Sequence, residues 1–216
     1  IYTTFFSIFN TSWTEQVVLH YKDEGGPEYV CEMFDKMITF FASIAIGIIV
    51  CIPLIFTIIV NESFAEAYGL IPWYMIAVFF NAVIGMISAI YLVENETKQV
   101  AFSTMAAAVI NVAVDFALVN QIGMYAAPIS SICGYMAISF WRLWDVNKRH
   151  CRITMSWKKL LLLLAMLAAA IASYYSGKIW AEVAGLIFVA AVALALNYRF
   201  LMEFAGMFKK ERGGSK

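Results

Sequence analysis

What constrains this chain most is a succession of apolar runs, each close to the roughly 20 residues that an α-helix needs to cross about 30 Å of hydrocarbon. They cover residues 37–60, 71–93, 100–119, 122–141, 160–175 and 179–201, and a more polar run over 2–20 precedes them. In lipid the backbone has no water to bond to, so an open segment of this kind is stable only as a helix. An all-α polytopic bundle of about seven spans is therefore expected. The first is a partial span, because Asn10, Thr11, Ser12, Glu15 and Gln16 interrupt it, and it lines a cavity or leaves the membrane near Trp13. Composition agrees: 62% of the 216 residues are hydrophobic and 14% charged, against roughly 45–50% and 25% in a soluble domain. Ile1 opens the chain inside an apolar stretch with no initiator Met, so the sequence is expected to be a fragment.

The connections test the span assignment. If every run crosses once, one side of the membrane receives residues 21–36, 94–99, 142–159 and the tail from 199. That side then holds all but Lys178 of the 15 lysines and arginines. Such a bias marks the cytoplasmic face and places the C-terminus inside. The six tryptophans, Trp13, Trp73, Trp141, Trp144, Trp157 and Trp180, fall near span ends, where an amphipathic ring suits the headgroup level. Pro72 marks a helix start, Pro53 a kink, and Pro128 an unpaired backbone segment near the 121–124 turn. The 15 basic and 15 acidic residues cancel, which gives no reason to expect a nucleic-acid partner.

Charged and amide groups inside the spans carry the functional expectations. Asp115 lies in the interior of 100–119, where a carboxylate must be neutral, paired or in contact with water. Thr104, Ala108, Asn111 and Asp115 share one helical face by their spacing, and Asn81 sits in the middle of 71–93. Asp115, Asn111 and Asn81 are therefore the pathway candidates, with interhelical packing as the competing role. Arg142 and Asp145 are expected to snorkel or pair locally at the cytoplasmic end of their helix, and His20 and His150 to be solvated. Cys31, Cys51, Cys133 and Cys151 form no metal or disulfide pattern and read as small hydrophobes and loop thiols. No Walker loop, G-x-G-x-x-G, H-E-x-x-H or G-x-S-x-G is present, and no loop is long enough for a soluble catalytic domain. No enzyme activity, cofactor or metal is expected.

Between Tyr68 and Asn147 the order of features resembles the C-terminal half of bacterial polysaccharide flippases, the Wzx-like branch of the multidrug/oligosaccharidyl-lipid/polysaccharide exporter superfamily. It is carried by Phe64-Ala65-Glu66-Ala67-Tyr68 before Pro72, the loop with Thr97-Lys98, and Asn111. The turn Gly123-Met124-Tyr125-Ala126-Ala127 and then Ser130 and Ser131 complete it. Asp115 stands where a second Asn is common. The resemblance implies that 1–146 belongs to a C-terminal transmembrane lobe and that 147–216 holds two additional helices and a basic cytoplasmic tail. The N-terminal lobe would be missing. It implies movement of undecaprenyl-diphosphate-linked oligosaccharide repeat units across the bacterial inner membrane for O-antigen, capsule or exopolysaccharide synthesis, with a polymerase and a chain-length regulator as partners. The alternative in the same superfamily is a cation- or proton-coupled drug or metabolite antiporter. A membrane-embedded glycosyltransferase or polymerase ranks third.

Overall fold

The computed structural model of the chain describes residues 2–59, 62–153 and 156–213, the side chains of 57–65 and 203–213 excepted. The helices are α1 (Tyr2–His20), α2 (Gly26–Ile59), α3 (Ile71–Val93), α4 (Thr97–Ile122), α5 (Ala126–Arg149), α6 (Trp157–Tyr174) and α7 (Ile179–Gly213). Short 3-10 helices at Glu62–Leu70 and Gly123–Tyr125 precede α3 and join α4 to α5. No strand occurs among the described residues. Five segments are long and apolar enough to cross a membrane: Gly26–Phe56, Glu66–Val93, Thr97–Arg149, Trp157–Tyr174 and Ile179–Met202. The third contains both α4 and α5, which fold back on each other. α1 is not among them. The chain is thus an all-helical bundle compatible with multi-pass insertion.

Local chemistry explains where the helices stop. Pro72 occupies the first turn of α3, where its missing N–H has no partner to lose. At the other end Glu96 N donates to Tyr91 O at 2.8 Å and Asn95 N to Leu92 O at 3.2 Å, with Asn95 left-handed at φ 57°. This is a Schellman stop, in which Asn takes the place of the usual Gly. Pro128 also lies in a first turn, that of α5, so it leaves no broken helix bond there, contrary to the sequence expectation. α2 begins at Gly26, well before its apolar run. Its first turns expose Glu28 and Glu32, while Val30, Cys31 and Phe34 are buried against the bundle.

Two cores meet on α2. One joins Val17 of α1 and Tyr21 of the following turn to Phe34 and Phe41 of α2, Met86 and Tyr91 of α3, and Val146 of α5. Phe41 receives Tyr2, Phe6 and Phe9 edge-on. The other joins Ile49 and Val50 to Met166 and Tyr174 of α6 and Val189 of α7. Asn197 of α7 is 4% exposed and ties this second core to α2 through Ser43 Oγ at 2.9 Å. α4 buries little beyond Ser103 and Ala107 and packs chiefly on α5. Gly134 permits the approach: a Cβ there would stand 2.8 Å from Ala107 O.

Three expectations are corrected here. Trp13 is not an interfacial ring; it is 5% exposed and donates from Nε1 to Met86 O at 3.0 Å, because α1 lies against α3. Cys31 and Cys151 are joined in a disulfide across 120 residues, with Cα atoms 6.3 Å apart. The early start of α2 carries Cys31 beside the connection that follows α5, a proximity with no trace in local sequence. Cys51 and Cys133 are free. His150 is 8% exposed, between Glu94 at 3.9 Å and Glu96 at 3.5 Å, because the α3–α4 turn folds over it.

Candidate functional site

α5 brings Arg142 to the junction of α3 and α4, and there it neither snorkels nor pairs with a carboxylate. Cβ vectors tilt towards a helix N-terminus. For α5 that direction is away from the basic end of the bundle, so the side chain runs into the interior. It is 0% exposed. Nε and Nη2 donate to Ser103 Oγ at 2.9 and 2.6 Å, and Nη2 also to Val100 O and Thr104 Oγ1 at 3.0 and 3.1 Å. Nη1 donates to Ser88 Oγ at 2.7 Å and Ile84 O at 3.2 Å. The guanidinium lies 5.9 Å from the Tyr91 ring centroid. Hydroxyls, helix carbonyls and the Tyr91 ring thus solvate a buried cation, with no carboxylate among them. The sequence signal for this cage, Ser88 and the Ser103-Thr104 pair at helical spacing from the loop, is weak in isolation.

Nearer the basic end a chain of ionic and hydrogen-bonded groups closes over Arg142. Tyr91 donates its hydroxyl to Asp145 Oδ2 at 2.7 Å, and Asp145 is paired with Arg149. Arg149 reaches Glu96 at 2.8 Å. Asp145 therefore pairs locally, as its spacing from Arg149 suggests. On the other side of Glu94 lies Tyr21, 4% exposed in the α1–α2 turn. Burial and the neighbouring Glu94 carboxylate push its phenol up to about 12. Asp35 of α2 and Lys159 of α6 form a further ion pair between helices.

Two clefts, mostly apolar but carrying amides and hydroxyls, flank the Arg142 cage. One, of about 360 Å³, is lined by Asn81 and Ile84 of α3, Thr104, Ala108 and Asn111 of α4, and Tyr135 of α5 among others. Asn111 Nδ2 donates to Ser131 Oγ of α5 at 3.0 Å. The other, of about 670 Å³, lies between α1, α3 and α4 and includes Asn10, Thr14, Ser88, Thr97 and Thr104. Thr104 and Ala108 belong to both, so the cavities lie on two sides of the same stretch of α4. Asn81 and Asn111 are thereby brought together. Asp115 is not: it sits one turn beyond Asn111, half-buried, outside both linings, and makes no hydrogen bond or ion pair among the described residues. Asn10, Thr14 and Ser88 join this polar surface only through tertiary packing. Among the described residues no group of three or more His, Cys, Asp or Glu side chains is placed to hold a metal ion.

Against protein-family models, curated proteins and solved structures, the chain matches none.

Proposed function

We propose that the chain is a transmembrane lobe of a transporter that moves lipid-linked oligosaccharides, carried on undecaprenyl diphosphate, from the cytoplasmic to the outer leaflet. The observation that carries this reading is the polar surface shared by α3 and α4 at membrane depth. A helix face that presents Thr104 and Asn111 beside Asn81, with Asp115 one turn further on, is costly against acyl chains. Such a face belongs to water, to substrate or to the rest of a larger protein. Amides and hydroxyls without a converging charge cluster suit sugar hydroxyls, which both donate and accept. The reading takes the chain as a component of a transporter rather than an enzyme. The reading has seven spans in the inner membrane, with α1 partial, and a cytoplasmic C-terminus that the charge bias of the loops supports.

The test is mass spectrometry of undecaprenyl-linked saccharides in source cells depleted of the full-length gene. Accumulation of one complete repeat unit on the cytoplasmic leaflet is expected. Wild type should reverse it, and the double variant Asn81→Leu, Asn111→Leu should do so poorly at equal membrane abundance. If no lipid-linked saccharide accumulates, the flippase reading is wrong and the antiporter becomes the leading account. Asp115 then acquires a direct assay, since Asp115→Asn should abolish the proton or sodium dependence of transport.

A further inference from the structure

A separate cleft, of about 430 Å³, opens between α2, α3, α5 and α6, and its exposed lining is wholly apolar. Ile46, Met75, Phe79, Phe140, Leu143 and Leu163 line it among others. All of these residues lie within the segments long and apolar enough to span a membrane, so the medium that meets the cleft is hydrocarbon. From the residue after Leu143 on α5 begins a different kind of cavity, of about 440 Å³, lined by Trp144, Asn147, Lys148, Arg152 and Ile153. Asn147 Oδ1 accepts the Ile153 N–H at 2.6 Å and so holds the connection after α5 against the helix end. Lys148 Nζ sits 5.2 Å from the Trp144 ring centroid, and Trp144 is 59% exposed.

The cations in this segment divide into two groups. Arg149 is neutralised by Asp145 and Glu96, and Lys159 by Asp35. Lys148 and Arg152, which line the cavity, have no acidic partner among the described residues. Two unneutralised cations and a tryptophan at the basic end of an apolar cleft match a phosphate headgroup above a hydrocarbon chain. The charge at one end and the apolar lining below it together select an acyl chain that carries a phosphate.

We propose that this cleft binds one acyl chain of an anionic phospholipid whose phosphate rests between Lys148 and Arg152. The site lies on the side of α3 and α5 away from the clefts that flank the Arg142 cage, and the inference stands whatever the transported cargo is. Native mass spectrometry of the full-length protein in detergent, titrated with phosphatidylglycerol or phosphatidylcholine, tests it. Phosphatidylglycerol should bind in preference. Lys148→Gln with Arg152→Gln should weaken it about thirtyfold, the loss of two interfacial cation contacts. Lys158→Gln, outside the cavity, should change it less than twofold, and Leu164→Trp, which narrows the cleft, should weaken both lipids. Equal binding of the two lipids, or an equal loss in Lys158→Gln, overturns the proposal. Displacement of phosphatidylglycerol by undecaprenyl phosphate also overturns it, by giving the cleft to the carrier lipid.

Discussion

Replacing Arg142 by lysine should damage the bundle more than replacing it by methionine. Arg142 makes six hydrogen bonds to α3 and α4. At about 0.6 kcal/mol for an average bond inside a membrane protein, they contribute roughly 3.6 kcal/mol. Placing an arginine within a membrane helix costs about 2.5–3.5 kcal/mol. Methionine loses the bonds and is also relieved of that cost, so Arg142→Met should destabilise by less than about 1 kcal/mol. Lysine keeps the charge and its desolvation but offers three donors at most, and so forfeits at least half of the cage, about 2 kcal/mol. At about 2–4 °C per kcal/mol for a chain of this size, Arg142→Lys should melt about 4–8 °C below wild type and Arg142→Met within about 4 °C. Thermal unfolding of the purified protein in detergent, followed by circular dichroism, reads both. A methionine variant that melts below the lysine variant would refute the reasoning, because the charge itself would then be what holds α3, α4 and α5 together.

Other expectations follow from single contacts. Gly134→Ala should cost about 1–3 kcal/mol by forcing α4 from α5, whereas Gly47→Ala, with nothing within 4 Å of the added carbon, should be neutral or stabilising; equal melting temperatures would deny the close approach. Cys31 and Cys151 lie at the end that the loop charges assign to the cytoplasm, where thiols are kept reduced. Acid-quenched maleimide labelling of cells should therefore find both as thiols, and purified protein should form the bond under air; a bond already present in cells would reverse the orientation. The Tyr21 phenol, raised to about 12 by burial and Glu94, stabilises the fold below pH 10, and that contribution is lost as pH rises from 10 to 12. A 295 nm titration of wild type minus Tyr21→Phe should show one phenol ionising in that upper range, and a midpoint at 10 would contradict the burial.

The apolar runs located the helices well where lipid and helix end together. The run 71–93 coincides with α3 because Pro72 and Asn95 punctuate both ends. The run 37–60 misses the first eleven residues of α2, because Glu28, Glu32, Asp35 and Lys36 interrupt the apolar pattern while the backbone stays helical. Asn81 and Asn111 were legible as polar groups at depth, and their common cavity was consistent with helical spacing on α4. Arg142 was legible only as a charge near the end of a run that the charge itself terminates. Its hydroxyl partners come from two other helices, and no local pattern encodes that meeting. The Cys31–Cys151 bond is likewise a product of tertiary proximity.

The same Arg142 cage bears on how the chain enters the membrane during synthesis. Four of its six hydrogen bonds run to α4, the helix made just before α5, and the two are joined by a 3-10 turn of three residues. Emerging from the ribosome alone, α5 would carry an unsolvated guanidinium into lipid. Delivered as a hairpin with α4, it arrives with Ser103 and Thr104 already positioned to receive the charge. In that route the Gly134–Ala107 approach would set how closely the two helices zip before they reach lipid, and α5 would depend on α4 for its admission to the bilayer.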